Sequence, residues 1–162
     1  MFGYRNLGFG AFPNRGVFTI EGSGSFNATD GKLTRTISDA GNRRTFILEV
    51  ITKRGGSQSS FLTAYSSGSD TFYTYLSSGQ VYVQNYISSN QIELKSEARL
   101  RDFSAWSHLI IAIDTTQSTD TDRVKAWSNG VELAWASSPG TYPTQNLETK
   151  WNTGSQEHQI GH

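Results

Sequence analysis

Glu93 and Glu97 stand four residues apart in a segment whose polar and apolar side chains alternate, so they share one face of a strand. At strand rise that spacing holds them about 13 Å apart, whereas a retaining glycoside hydrolase sets its two carboxyl groups about 5 Å apart. Glu49 is the lone carboxylate of its own segment, residues 45–53. Glycosidic hydrolysis is disfavoured by this arrangement, and the chain is expected not to be an enzyme. His108, His158 and His162 have the chemistry of metal ligands, yet no HxH or HxxxH spacing with a third donor occurs. His108, inside an apolar run, reads as a hydrogen-bonded core residue. Ser107 beside it lacks the G-x-S-x-G turn that exposes a nucleophile. Arg43 and Arg44 beside Asn42 form a small basic spot suited to a local salt bridge or an interface element rather than to a phosphate.

A second kind of chemistry is offered by residues 71–86. Tyr73 and Tyr75 share a face of one strand; Tyr82, Gln84 and Tyr86 share a face of the next. Flat aromatic rings beside amides on an exposed sheet can stack on sugar rings and hydrogen-bond their hydroxyls. The same pattern also reads as cross-strand aromatic pairing that only stabilises the sheet.

These residues sit in a chain of 162 residues, enough for one domain with a substantial core. Lys plus Arg and Asp plus Glu both number 14, a formal net charge of zero, which disfavours nucleic acid or an anionic membrane as partner. Cysteine is absent, so disulfides, thiolate metal sites and a Cys nucleophile are excluded. No basic-then-apolar secretory leader and no apolar run of about 18 residues is present, so neither secretion nor membrane insertion is expected. The protein is expected to be made in a cytosol.

Short alternating segments punctuated by turn residues predict strands at 23–27, 32–37, 45–53, 60–65, 71–76, 80–86, 91–98, 106–114, 123–128, 131–136 and 159–162. Helical periodicity is essentially missing. Turns are signalled by Asp30-Gly31, Gly55-Gly56, Ser78-Gly79 and Asn129-Gly130, the last suited to the two positive-φ positions of a type I′ hairpin. Segment 106–114 is apolar on both faces and reads as a buried strand in the middle of a sandwich. Val131, Leu133 and Trp135 then return on one face. About ten strands at this spacing predict an all-β, antiparallel two-sheet sandwich or a barrel. Residues 1–22 differ: glycines 3, 8, 10 and 16 interrupt Phe2, Tyr4, Phe9 and Phe12, forming an arm expected to dock either on its own domain or on a neighbour.

Residues 102–133 join Trp106, His108 and an apolar strand to Asp114-Thr115-Thr116, a polar loop, Asp122-Arg123-Val124-Lys125, Trp127 and Asn129-Gly130-Val131. With "SFN" at 25–27, "LTRT" at 33–36, "AGNRRT" at 40–45, "KRG" at 53–55, "YPTQN" at 142–146 and "HQIG" at 158–161, this pattern resembles the concanavalin A-like, laminin-G-like jelly-roll domains of tailed, especially marine, phage structural proteins. The resemblance covers roughly residues 23–162 and implies a concanavalin A-like jelly roll. It also implies a non-enzymatic virion role, in capsid decoration or in a tail or fibre, with other virion proteins as partners. The sticky arm adds the expectation of a homo-oligomer, and the tyrosine face the alternative of an adhesin for host surface glycans. Because laminin-G-like sandwiches often hold calcium at a loop rim, Asp114, Asp120 and Asp122 become candidate calcium ligands, although the loop is equally well explained as a solvated connector. The sequence departs from the family at Glu49, Val50, Ile51 and Thr52, where an aromatic is usual, so packing there must differ. It also stops at His162, where the family runs on into a closing strand. Either the sequence is a fragment or that strand comes from elsewhere, conceivably a neighbouring subunit.

Overall fold

The computed structural model describes residues 24–26, 31–53, 58–65, 70–102 and 104–161. The arm with Phe2, Tyr4, Phe9 and Phe12, together with His162, lies outside the described residues. Among the described residues the chain forms β1 (Leu33–Thr36), β2 (Thr45–Lys53), β3 (Gln58–Tyr65), β4 (Thr71–Ser77), β5 (Gln80–Ile87), β6 (Ser89–Ser96), β7 (Trp106–Asp114), β8 (Val124–Ser128), β9 (Val131–Glu132), β10 (Trp135–Thr141) and β11 (Glu157–Ile160). They build a seven-stranded sheet, β1-β11-β3-β4-β5-β6-β10, and a four-stranded sheet, β2-β7-β8-β9, with every pairing antiparallel. One 3₁₀ turn, Asp120–Asp122, interrupts the loop between β7 and β8.

Period-two alternation makes the two sheets a sandwich. Leu109, Ile111 and Ile113 of β7, Leu48 of β2, and Val124 and Ala126 of β8 face Phe72, Leu76, Val81, Val83, Ile92 and Leu94 of the larger sheet in one buried cluster. At one end the layers are joined by aromatics. The Phe46 and Phe72 rings meet edge-on at 5.9 Å, and Trp151 packs against both at 6.4 and 5.8 Å. Buried Asn85 accepts the Lys150 N–H at 2.8 Å, and Lys150 Nζ pairs with Asp70 at 2.6 Å, so the segment before β11 is pinned across the larger sheet.

Several expectations need correction. β7 is an interior strand, but only one of its faces is covered, because the sandwich has two layers. Its even-numbered residues look outward, Trp106 is 54% exposed, and His108 is hydrogen-bonded yet not in the core. The predicted strand 131–136 is two strands. The chain leaves the smaller sheet after Glu132 and enters the larger at Trp135, with the Leu133 N–H donated to Ala126 O at 2.8 Å. Within the predicted strand 23–27, the described residues 24–26 are irregular. The last strand ends at Ile160 because Gly161 turns to φ +73°. The Asn129-Gly130 hairpin is as expected, with φ of +50° and +82°.

Candidate functional site

The tyrosine-bearing face is assembled by the tight turn at Ser78 and Gly79, whose positive φ values fix the register of β4 on β5. Tyr75 falls opposite Tyr82, Tyr73 opposite Gln84, and Thr71 opposite Tyr86. All five residues singled out by the sequence are therefore brought onto one outward face of the larger sheet. The Tyr75 and Tyr82 rings stack at 4.7 Å and 12°, so each already shields one face of the other. β6 adds residues that the sequence reading did not join to this face: Glu93 opposite Gln84, Lys95 opposite Tyr82 and Asn90 opposite Tyr86. Their place follows from the β5–β6 hairpin, and a register shift after Asn85 hides it from simple alternation. Gln84 Nε2 donates to Asn90 Oδ1 at 3.1 Å, and Asn90 Nδ2 donates to Glu93 Oε2 at 2.6 Å.

This face can present a ring edge, an amide chain and a carboxylate side by side. Burial raises the Tyr75 phenol above its usual range, and the nearby Tyr82 and Glu93 push the same way, so its hydroxyl stays a donor at neutral pH. A concavity of about 310 Å³ lies beside the β1–β11 pair, lined by Leu33, Leu62, Trp151, His158 and Ile160 among others. A flat, half-buried aromatic face suits an extended ligand rather than a small molecule swallowed in a pocket.

The loop that carries Asp114, Asp120 and Asp122 is held by a different device. Asp114 accepts the N–H and hydroxyl of Thr116 at 3.0 and 2.5 Å, the Gln117 amide at 2.6 Å and the Thr45 hydroxyl at 3.4 Å. Those bonds, the Thr116 hydroxyl first, hold its carboxyl below the usual range. Asp122 is paired with Lys125 at 3.1 Å, and Asp120 accepts the Thr121 N–H at 2.7 Å. The buried Arg123 guanidinium donates to the carbonyls of Gln117 at 2.9 Å, Ser118 at 2.8 Å and Pro143 at 2.7 Å. The loop carbonyls thus surround a cation that belongs to the chain. As placed, the three carboxylates do not form a calcium donor set, and among the described residues no three His, Asp or Glu side chains are grouped to hold a metal.

Other motif residues also turn out to be fasteners. Asn129 Oδ1 accepts the His108 N–H at 2.9 Å, and Asn42 Oδ1 accepts the N–H groups of Arg44 and Thr45 at 2.9 Å each. Thr115 donates its hydroxyl to Leu147 O at 2.8 Å. Arg43 and Arg44 both grip Glu148, at 3.0 and 2.9 Å, which makes the basic spot a salt-bridged clamp between loops. Glu49 faces outward and bonds His108 Nε2 at 2.8 Å. Glu97 lies just beyond the end of β6. In the sequence Arg123 stands out only as part of a motif; an arginine directly after a polar loop with three aspartates is the signal that points to its role.

No protein-family model matches the sequence, and no curated protein is significantly similar to it. Among solved structures, domains LG4-5 of the mouse laminin α1 chain are similar, with a TM-score of 0.58 at 9% identity over 92% of this chain and 39% of that one. The chain thus spans about two-fifths of the length of that structure. With its two antiparallel sheets, this likeness makes the fold a laminin-G-like jelly-roll sandwich.

Proposed function

We propose that this chain is a non-enzymatic structural protein of a phage particle, decorating a capsid or forming part of a tail or fibre through protein–protein contacts that include its own copies. The observation that carries the reading is the uncovered outer face of the four-stranded sheet, where Ile47 (69% exposed), Ile51 and Trp106 lie open on a rigid slab. The sequence motifs support the phage assignment, and Asn129 and Arg123 within them fasten loops. In this reading the protein is made in the host cytoplasm, works in water on a particle surface and engages neither nucleic acid nor a bilayer. Mass spectrometry of gradient-purified particles from the producing cells tests it. The chain should co-purify at a fixed ratio to the major particle proteins, and its confinement to the soluble fraction refutes the assignment.

A second reading is favoured by the ring, amide and carboxylate row of Tyr73, Gln84, Asn90 and Glu93: an adhesin surface for host glycans. Glycan-array binding that disappears in Tyr73→Ala and Tyr82→Ala, with the fold retained, supports it. If instead these rings serve only the sheet, Tyr75 and Tyr82 show a double-mutant coupling of about 0.5–1.5 kcal/mol and no glycan is retained on the array.

A further inference from the structure

β2 is the outermost strand of the four-stranded sheet and pairs with β7 without a break, from Thr45 opposite Asp114 to Lys53 opposite Trp106. The direction of its backbone groups follows from β7. Asp114 donates its N–H to Arg123 O at 2.9 Å, and His108 O accepts the Asn129 N–H at 2.8 Å, so the even-numbered residues of β7 turn their backbone toward β8. The odd-numbered ones turn toward β2. Phe46, Leu48, Val50 and Thr52 therefore bond inward, and the backbone of Thr45, Ile47, Glu49, Ile51 and Lys53 points off the sheet. The Thr45 N–H is capped by Asn42 Oδ1 at 2.9 Å. Among the described residues, Ile47, Glu49, Ile51 and Lys53 have no strand on that side. Alternating donors and acceptors at strand spacing are complemented by another extended strand.

We propose that the occupant is β2 of a second copy, antiparallel across a two-fold axis through Ile51. Charge selects this register. A parallel, in-register pairing sets Glu49 beside the partner's Glu49, and an antiparallel pairing centred on Glu49 does the same; like charges directly opposite are destabilising. Centring on Val50 sets Glu49 diagonal to the partner's Glu49, whereas centred on Ile51 each Glu49 lies directly opposite the partner's Lys53 on the outward face. Only one Glu49 oxygen is bonded to His108, at 2.8 Å, which leaves the other for that ammonium. Ile51 meets the partner's Ile51, so an exposed isoleucine gains a cross-strand neighbour. On the inner face Val50 meets the partner's Thr52. Every residue pair that exchanges backbone bonds in this register uses outward-pointing groups, and the two sheets merge into one of eight strands. Edge charges normally discourage pairing; here they favour the one alignment that sets Glu49 and Lys53 face to face.

The inference rests on the self-association included in the proposed function, not on the particle: a solution dimer is found or refuted whether or not the chain occurs in particles. Sedimentation equilibrium of the full chain from micromolar to millimolar concentration should show a monomer–dimer equilibrium. Amide exchange at Glu49, Ile51 and Lys53 should slow with concentration, while Leu48, Val50 and Thr52 stay slow throughout. Ile51→Pro removes an outward N–H without touching the β7 ladder and should abolish the dimer. Lys53→Glu should weaken it about tenfold, since two symmetry-related contacts change sign, and the exchange Glu49→Lys with Lys53→Glu should restore it. A chain that remains monomeric at millimolar concentration, or a dimer indifferent to Lys53→Glu, overturns the proposal, even where the proline variant fails to fold.

Discussion

Replacing Arg123 by methionine tests the idea that the loop between β7 and β8 is built around the chain's own cation. Arg123 is 9% exposed, and its guanidinium serves three carbonyls at 2.7–2.9 Å. Methionine keeps the apolar stem and removes every donor. The Pro143 bond is buried, so that carbonyl is left without a partner at a cost of about 1–3 kcal/mol. Gln117 and Ser118 are exposed residues whose carbonyls can turn to water, which limits their loss to about 0.5–1 kcal/mol each. The sum is about 2–5 kcal/mol, or roughly 5–20 °C in melting temperature for a domain of this size. Arg123→Lys supplies one compact ammonium in place of a planar fork and should recover about a third of the loss. Urea unfolding at neutral pH, with the slope m compared between variants, measures both. A loss below about 1 kcal/mol for Arg123→Met, or a lysine variant as stable as the wild type, would refute the clamp.

The same donor arrangement predicts that calcium leaves the fold unchanged: melting temperatures in millimolar calcium and in chelator should agree within about 1 °C, and a rise of several degrees with calcium would show that the loop rearranges to bind it. A pH effect is expected from His158. Its Nε2 accepts the Asn152 N–H at 3.1 Å, and its ring meets Trp151 edge-on at 4.5 Å. Burial, aided by Arg35 and opposed by the Gln156 carbonyl, holds its pKa below the usual 6.5. The unfolded chain then binds the proton more readily than the folded one, so the stability this ring contributes is complete above pH 6.5 and is lost as pH falls through the folded value. Urea midpoints should drop between pH 7.5 and 5.5 in the wild type and drop less in His158→Gln; parallel profiles would remove His158 as the cause.

How much of this was legible depended on whether the relevant physics is local. β2 and β7 are bounded as the alternation predicts, because a nine-residue period-two run flanked by turn residues has no helical competitor. The tyrosine face was legible for a related reason: a two-residue turn fixes register, and register fixes face. Alternation is silent about which sheet a strand joins. Residues 131–136 keep their pattern while the chain crosses from one layer to the other, and only the ladder partners of Trp127 and Ser96 reveal the crossing. Outward apolar side chains on β7 misled for the complementary reason, since a pattern that would suit a doubly covered strand also suits an uncovered contact face. The aspartates of the 114–122 loop show the sharpest limit. Counted as ligands they suggest an exogenous cation, yet whether a carboxylate is free depends on Thr45, Thr116, Gln117 and Lys125, whose approach is a property of the closed loop. Arg123 acts there by chemistry rather than by position: converging carbonyls are matched by positive charge, and a buried guanidinium just before β8 supplies it covalently.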